Sequence, residues 1–125
     1  MTALVLGAGA LIAFERGERK IEVLVRQAIH RSAAIIVPAG VVAQVWRDGR
    51  KQARLARLLA KPEVSVIALD DMTARACGQL CGLRHTSDVV DASVTICARA
   101  RNAPVATSDP EDLARLDPTL ELIEI

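Results

Sequence analysis

Five short apolar runs, separated by segments with helical periodicity, constrain the fold of this chain more than any other feature. We predict strands at Ala3–Leu6, Ala34–Val37, Val64–Leu69, Pro104–Ala106 and Leu120–Ile123. Strands that alternate with helices form a parallel sheet with helices on both faces, joined by right-handed crossovers. Because 51% of the residues are hydrophobic and only 2% are aromatic, the core must consist of Leu, Val, Ile and Ala, the usual filling of a parallel sheet. The sequence therefore predicts an α/β fold with a central parallel sheet of four to five strands.

The segments between the strands carry apolar residues at the spacing of a helix. The predicted helices are Ala10–Glu15, Glu18–Ser32, Ala39–Arg47, Lys51–Lys61, Met72–Leu83, Val89–Ala98 and Pro110–Leu116. A length of 125 residues corresponds to one domain. We therefore expect residues 1–125 to form a single domain.

Charge, hydropathy and cysteine content exclude several classes of protein. The net charge is +1, so nucleic acid would bind only at a local basic patch. No apolar run reaches the ~18 residues of a membrane helix, and no basic leader precedes the first apolar segment. Cys77, Cys81 and Cys97 are odd in number and lack metal-type spacing, as is typical of core cysteines in a reducing compartment. We expect a cytoplasmic protein without a membrane segment.

Three aspartates lie in and beside one apolar helix and the strand that follows it. Asp88 immediately precedes the predicted helix Val89–Ala98, and Asp91 follows three residues later. Positions three apart on a helix are neighbours, with Cβ atoms roughly 5–6 Å apart, so two like charges there repel. Asp109 follows the fourth predicted strand, at the edge where open parallel sheets bind ligands. A divalent cation would offset this repulsion, because hard cations bind carboxylate oxygens.

Helix capping is the alternative explanation for these acids. Asp88 and Asp109 both stand where an N-cap is expected, and Asp109 is followed by Pro110 and, three residues on, by Asp112. Asp91 lies further into its helix and is the acid that capping explains least. Both explanations remain open from the sequence alone.

The first predicted strand ends in Gly7-Ala8-Gly9, which opens like a dinucleotide-binding fingerprint. The pattern then fails, because Ile12 occupies the third small position and Pro38 stands where a ribose-binding acid would be. We therefore expect no nucleotide cofactor, although an unrelated doubly wound domain that binds a nucleotide or phosphate at Gly7–Gly9 stays an open hypothesis. Another explanation of Gly7 is a turn that needs an unusual backbone angle.

Four segments resemble PIN-domain proteins, and together they extend over most of the chain. They are L-V-L-x-x-x-A-L-I-A-F-E-R-G at residues 4–17, V-P-A-G-V-V-A-Q-V-W-R at 37–47, S-D-V-V-D-A at 87–92 and V-A-T-S-D-P-E-D-L at 105–113. The nearest type looks like the VapC toxins of VapBC toxin–antitoxin pairs. The resemblance implies a PIN-like three-layer domain and an endoribonuclease that uses Mg²⁺ or Mn²⁺ to cut single-stranded regions of RNA. It also implies a homodimer that a small antitoxin protein holds inactive.

The resemblance assigns site residues only in part. Asp88 and Asp109 match the family's third and fourth acids, and Asp91 is an extra acid beside them. Gly7 stands at the position of the first acid and Gln44 at that of the second, so both are degenerate ligand positions. An amide oxygen can bind a cation, but it brings no charge.

These losses predict a weakened enzyme. A metal ion lowers the pKa of a bound water and neutralises charge on the phosphate, and Mg²⁺ is bound less well without a central carboxylate. We expect Asp88, Asp91 and Asp109 to be the metal-binding and catalytic residues, with weak metal binding and weakened or absent cleavage. The alternative is a catalytically dead PIN-like protein that acts by binding antitoxin or RNA. Gly9 also replaces a small hydroxyl residue that the resemblance implies.

A basic region follows the third predicted helix. Its candidate contacts with RNA or antitoxin are Trp46, Arg47, Arg50, Arg54 and Arg57. Arg50, Arg54, Arg57 and Lys61 have helical spacing, which predicts one basic stripe that meets phosphates, an acidic antitoxin segment or only solvent. Trp46 would stack on a base or anchor a protein contact, and we favour the protein contact.

Overall fold

Five strands form one parallel sheet in the computed structural model, which describes residues 1–125. The strands are β1 (Ala3–Leu6), β2 (Ala34–Pro38), β3 (Val64–Ile67), β4 (Val105–Thr107) and β5 (Leu122–Glu124). Their order across the sheet is β3-β2-β1-β4-β5, and every pair is parallel. The predicted α/β fold with a parallel sheet of four to five strands is confirmed.

All seven predicted helices are present. They are α1 (Ala8–Glu15), α2 (Arg19–His30), α3 (Ala39–Val45), α4 (Ala53–Leu59), α5 (Asp71–Arg84), α6 (Val89–Arg101) and α7 (Pro110–Leu116). Most ends differ from the prediction by one or two residues, whereas α6 runs three residues further. No helix has both the length and the apolar character needed to cross a bilayer.

The helices and the sheet form three layers. Helices α1, α2 and α4 contact one another and the sheet, and α5, α6 and α7 form a second contacting group. Helix α6 packs on β1 and β2, while α3 contacts both α1 and α6. Helix α3 therefore bridges the two helical layers, and Gly40 in its first turn lies close to Val90 and Ser93 near the start of α6.

The core is aliphatic because the central strands are apolar throughout. All four residues of β1 are buried, and Leu4, Val5 and Leu6 have no exposed surface. Burying each such side chain contributes about 1.5–3 kcal/mol before the entropy cost of folding. Cys77, Cys81 and Cys97 are free and buried, which confirms that they are core residues.

The strand order places a crevice between β1 and β4. The chain moves outward from β1 through β2 to β3, then crosses back to add β4 and β5 on the other side of β1. The segments that leave β1 and β4 therefore diverge, and ligands of open parallel sheets bind at this switch point. Gly7 follows β1 directly, and Asp109 lies two residues beyond β4.

The predicted basic stripe is wrong. Helix α4 covers only Ala53–Leu59, because Asp48–Lys51 forms a turn and Lys61 lies past the helix end. Arg54 forms an ion pair with Glu22 of α2, so its guanidinium group is directed toward that helix. These residues do not form one continuous row of cations.

Candidate functional site

A cleft of about 280 Å³ lies at the C-terminal ends of β1 and β4. Its lining includes the five acidic or degenerate positions predicted from the sequence: Gly7, Gln44, Asp88, Asp91 and Asp109. A fourth aspartate, Asp112, also lines it, and no Lys, Arg or His does. We call this site the acidic cleft.

Asp88 and Asp91 are positioned by the first turn of α6. The Asp91 backbone N–H donates to Asp88 Oδ1 at 3.0 Å, so Asp88 is the N-cap of the helix. The Asp88 N–H in turn donates to Thr86 Oγ1 at 3.2 Å. Asp88 is thus both a helix cap and part of the cleft lining, so the capping explanation is confirmed for this residue and metal binding stays a prediction.

Asp109 occupies the N-cap position of α7 without capping it. No backbone N–H of α7 donates to its carboxylate. Its own N–H donates to Thr107 Oγ1 at 3.0 Å, which fixes the turn after β4. The capping explanation is therefore wrong for this residue, and the carboxylate is exposed at the cleft.

Asp112 is the site residue that sequence reasoning assigned only to capping. It lies on α7, one turn beyond Asp109, and both side chains line the cleft. A hydrogen-bonding interaction with the Asp109 carboxylate, followed by the Asp109 charge, raises the pKa of Asp112. The spacing of three residues on a helix was the available signal, because it places both acids on one face.

The electrostatics of the cleft are dominated by negative charge that is compensated only at Asp112, by Arg115. Burial, followed by the charge of Asp88, raises the pKa of Asp91 to about 6. The charges of Asp112 and Asp109 raise it further. Four aspartates from the start of α6 and the start of α7 therefore act on one another. A bound cation would favour their ionised forms.

The donor chemistry fits a hard divalent cation, but the ligand set is not assembled. Carboxylate and amide oxygens line the cleft, as Mg²⁺ and Mn²⁺ prefer. However, no group of three or more His, Cys, Asp or Glu side chains is placed to hold an ion together. The acids are close enough to repel without sharing a common centre.

Gly7 leaves room where another carboxylate would complete the set. Its φ of −82° and ψ of 178° are open to any residue, so the explanation by an unusual backbone angle is wrong. A Cβ added there would meet only Ala106 O, at 3.5 Å, an ordinary contact. An aspartate at this position therefore requires no change in the backbone.

Gly9 is constrained, in contrast, by close packing. A Cβ at this position would lie 1.8 Å from Ser108 Oγ and 2.7 Å from Ser108 Cβ. Ser108 also lines the acidic cleft. The hydroxyl that the resemblance places at residue 9 therefore has no room, and the hydroxyl of Ser108 occupies that space.

The predicted RNA or antitoxin contacts lie outside the acidic cleft. Trp46 is 37% exposed and lines an apolar groove with Val42 and Leu59. Arg47 donates to the carbonyl oxygens of Ala43 and Trp46 at 3.1 and 2.7 Å. The remaining candidates, Arg50, Arg54 and Arg57, are exposed and line neither the cleft nor this groove.

Comparisons with known proteins show the fold. No family model matches the sequence, and no curated protein matches it. Among solved structures, the chain aligns with one in VapBC2 from Rickettsia felis bound to a DNA fragment from their promoter. The TM-score is 0.75 at 16% identity, with 98% of each chain covered.

Two further structures show the same likeness. FitAcB from Neisseria gonorrhoeae aligns with a TM-score of 0.66 at 16% identity, covering 97% of this chain and 96% of the other. FitAB bound to an IR36 DNA fragment aligns with a TM-score of 0.68 at 14% identity, covering 97% and 94%. The fold of this chain is therefore PIN-like, as the resemblance implied.

Proposed function

We propose that this chain is a metal-dependent endoribonuclease of the toxin–antitoxin type, weakened or inactive because Gly7 replaces the first acid. The observation that carries the proposal is the convergence of four aspartates, of which only Asp112 has a cationic partner, Arg115, at the switch point of a parallel sheet. The PIN-like fold shared with chains of the VapBC2 and FitAB complexes supports it. Single-stranded RNA is the proposed substrate.

The proposed roles follow from the position of each side chain. Asp88, Asp91 and Asp109 would hold one Mg²⁺ or Mn²⁺ ion, which supplies a nucleophilic water and neutralises charge on the phosphate. Asp112 would add a fourth carboxylate beside Asp109. Gln44 would offer a neutral oxygen from α3.

A catalytically dead binding protein is the second candidate. It is favoured by the degenerate positions Gly7 and Gln44 and by the absence of an assembled set of three ligands. In that case the same surface would bind RNA or an antitoxin without cleavage. The two candidates differ in what an aspartate at residue 7 would restore.

The test is a paired measurement on the chain and its Gly7→Asp variant. Mn²⁺ and Mg²⁺ binding is measured by calorimetry, and cleavage of structured RNA is assayed with and without EDTA. We expect Gly7→Asp to bind metal at least about tenfold more tightly, because it adds a charged oxygen ligand beside the carboxylates already in the cleft. We also expect EDTA-sensitive cleavage in that variant.

Gly78→Asp is the matched control. Gly78 lies on α5, and a Cβ there meets nothing within 4 Å, so it adds the same charge away from the cleft. If Gly78→Asp improves metal binding as much as Gly7→Asp, the effect is one of net charge and the assigned site is wrong. Tight metal binding by Gly7→Asp without cleavage would favour the binding protein. The nuclease proposal fails if neither metal binding nor cleavage appears.

The proposed partners are a small antitoxin and a second copy of the chain. The apolar groove beside the half-exposed Trp46, with Val42, Ala56, Leu59 and Ala60 in its lining, supports a protein contact at that surface. Light scattering of the purified chain tests the homodimer. Loss of antitoxin binding on Trp46→Ala, with the fold intact by circular dichroism, tests the contact.

A further inference from the structure

A second cavity, of about 270 Å³, adjoins the acidic cleft. The two share three aspartates, Asp88, Asp91 and Asp112. They differ in the rest of their lining, because the second cavity also has two cationic side chains, Arg84 and Arg115, and the imidazole of His85. We call it the arginine cavity.

The two arginines come from different elements and have different partners. Arg84 ends α5, is exposed, and forms no ion pair with an acid. Arg115, on α7, donates from one terminal nitrogen to Asp112 Oδ1 at 2.8 Å. A guanidinium has five N–H donors, so both arginines keep donors for a ligand. The helices α5 and α7 contact each other, and both arginines line the same cavity.

His85 brings a third polar side chain to the same wall. It is the C-cap of α5, with a φ of 55° and a ψ of 47° in the left-handed region. A residue other than glycine is uncommon there, and this turn leads the chain from α5 to Thr86 and Asp88, which both line the cavity. The connection between α5 and α6 therefore contributes an imidazole, a hydroxyl and a carboxylate to the cavity lining.

From this arrangement we infer that the arginine cavity binds a backbone phosphate of the nucleic-acid strand, next to the phosphate that reaches the acidic cleft. This inference rests on the proposed function, because it requires a strand at the cleft. Arg84 and Arg115 are the principal binding residues, since guanidinium groups match phosphate oxygens in geometry and charge. His85 adds a ring N–H donor.

The shared aspartates make this binding dependent on a divalent cation. Three carboxylates at the edge of the cavity repel a phosphate when nothing neutralises them. A cation bound at the acidic cleft removes much of that repulsion. The arginine cavity therefore binds its phosphate mainly when the cleft is loaded, which couples substrate binding to metal binding.

The test measures binding of a short fluorescent single-stranded RNA by anisotropy. The protein is the full chain, with Ca²⁺ in place of Mg²⁺, because Ca²⁺ binds carboxylates in a looser geometry. We expect Arg84→Gln and Arg115→Gln each to weaken binding on the order of three- to tenfold. Each should also lower the slope of log affinity against log salt by about one, because one phosphate contact is lost.

Two controls separate this inference from the proposed function. Arg75→Gln removes an exposed arginine from α5, the helix that also carries Arg84. Arg75 is paired with Asp71 and lies outside the cavity, so this variant should leave the affinity for RNA unchanged. Mn²⁺ binding should be retained in Arg84→Gln, because this arginine has no acid partner.

Three outcomes would overturn the inference. If the chain binds RNA but both cavity variants match Arg75→Gln, the phosphate site is wrong while the proposed function stands. A loss of affinity that depends on base sequence with an unchanged salt slope would mean that the cavity reads a base. If the chain binds no RNA at all with Ca²⁺ present, both the inference and the RNA substrate fail.

Discussion

Helices α5 and α6 begin in the same way and differ in what surrounds their first turn. Asp70 Oδ1 accepts the N–H of Thr73 at 2.8 Å, and Asp88 Oδ1 accepts the N–H of Asp91 at 3.0 Å. The cap hydrogen bond lowers the pKa of Asp70, whereas burial and neighbouring acids raise the pKa of Asp91 to about 6. Capping accounts for Asp70 at the start of α5. At the start of α6 it accounts for Asp88 but not for the neighbouring acids Asp91, Asp109 and Asp112, and this excess of acids distinguishes the candidate site.

The largest difference between the two caps is expected in metal affinity. Asparagine caps a helix as well as aspartate does, so Asp88→Asn and Asp70→Asn both keep their helices and lose only charge. We expect Asp88→Asn to weaken Mn²⁺ binding about tenfold or more and Asp70→Asn to leave it unchanged, measured by calorimetry. Equal effects would show that the start of α6 has no special affinity for cations.

A smaller difference between the two helices is expected in the free energy of unfolding. It should appear without metal, when a first-turn aspartate is replaced by asparagine. The pKa of Asp91 in the folded chain, about 6, lies above the ordinary value of 3.8. The folded state therefore holds this proton more tightly, and stability from this group is full below about pH 4 and is lost as the pH rises to about 6.

Asp91→Asn should consequently stabilise the chain above pH 6. We expect a gain of about 1–2 kcal/mol in the free energy of unfolding at pH 7.5, less than the pKa shift alone implies, because solvent screens an open cleft. Urea unfolding at pH 4 and pH 7.5 measures it. Asp71→Asn, which removes the first-turn acid of α5 and its ion pair with Arg75, is the control and should stabilise at neither pH. If Asp91→Asn proved less stable than the unsubstituted chain at pH 7.5, the proposed cost of ionising Asp91 in the cleft would be contradicted.

The smallest difference concerns the caps themselves. Asp70→Ala removes a cap and nothing else, so we expect its Tm to fall by about 2–4 °C at pH 7. Because the folded-state pKa of Asp70 is lowered, that deficit should shrink as the pH falls below about 4. Asp88→Ala also relieves repulsion with Asp91, so its Tm should fall less. Calorimetric scans of both variants compare them, and a larger loss for Asp88→Ala would mean that capping dominates at both helices.

The fold could be predicted from sequence because its determinants are local. Short apolar runs such as Ala3–Leu6 and helical periodicity define each element, and their alternation defines the parallel sheet. The position of Asp109 beyond a strand end was also sufficient to place it in the cleft. Helix ends were less predictable. Helix α4 begins only after a turn at Asp48–Lys51, whereas the helical spacing of the basic residues predicted an earlier start.

The rest of the site depends on contacts between distant segments. Asp112 is adjacent to Asp109 on a helix face, but its nearness to Asp88 depends on how α7 packs against α6. The conflict between Gly9 and Ser108 joins residues 99 positions apart in the chain. Arg54 has the spacing of a stripe, yet it turns to Glu22 of α2. No periodic pattern in the sequence predicts these contacts between distant residues.

The central position of β1 also governs when the cleft comes into existence. Strand β1 pairs with β2 on one side and with β4 on the other, so a growing chain that has not yet reached residue 105 leaves its most buried strand with one open edge. Such an edge is prone to pairing with other chains. The crevice can therefore close only after residues 105–107 have been synthesised, and a fragment that ends between residues 92 and 104 would be prone to aggregation and hold only Asp88 and Asp91 of the four aspartates.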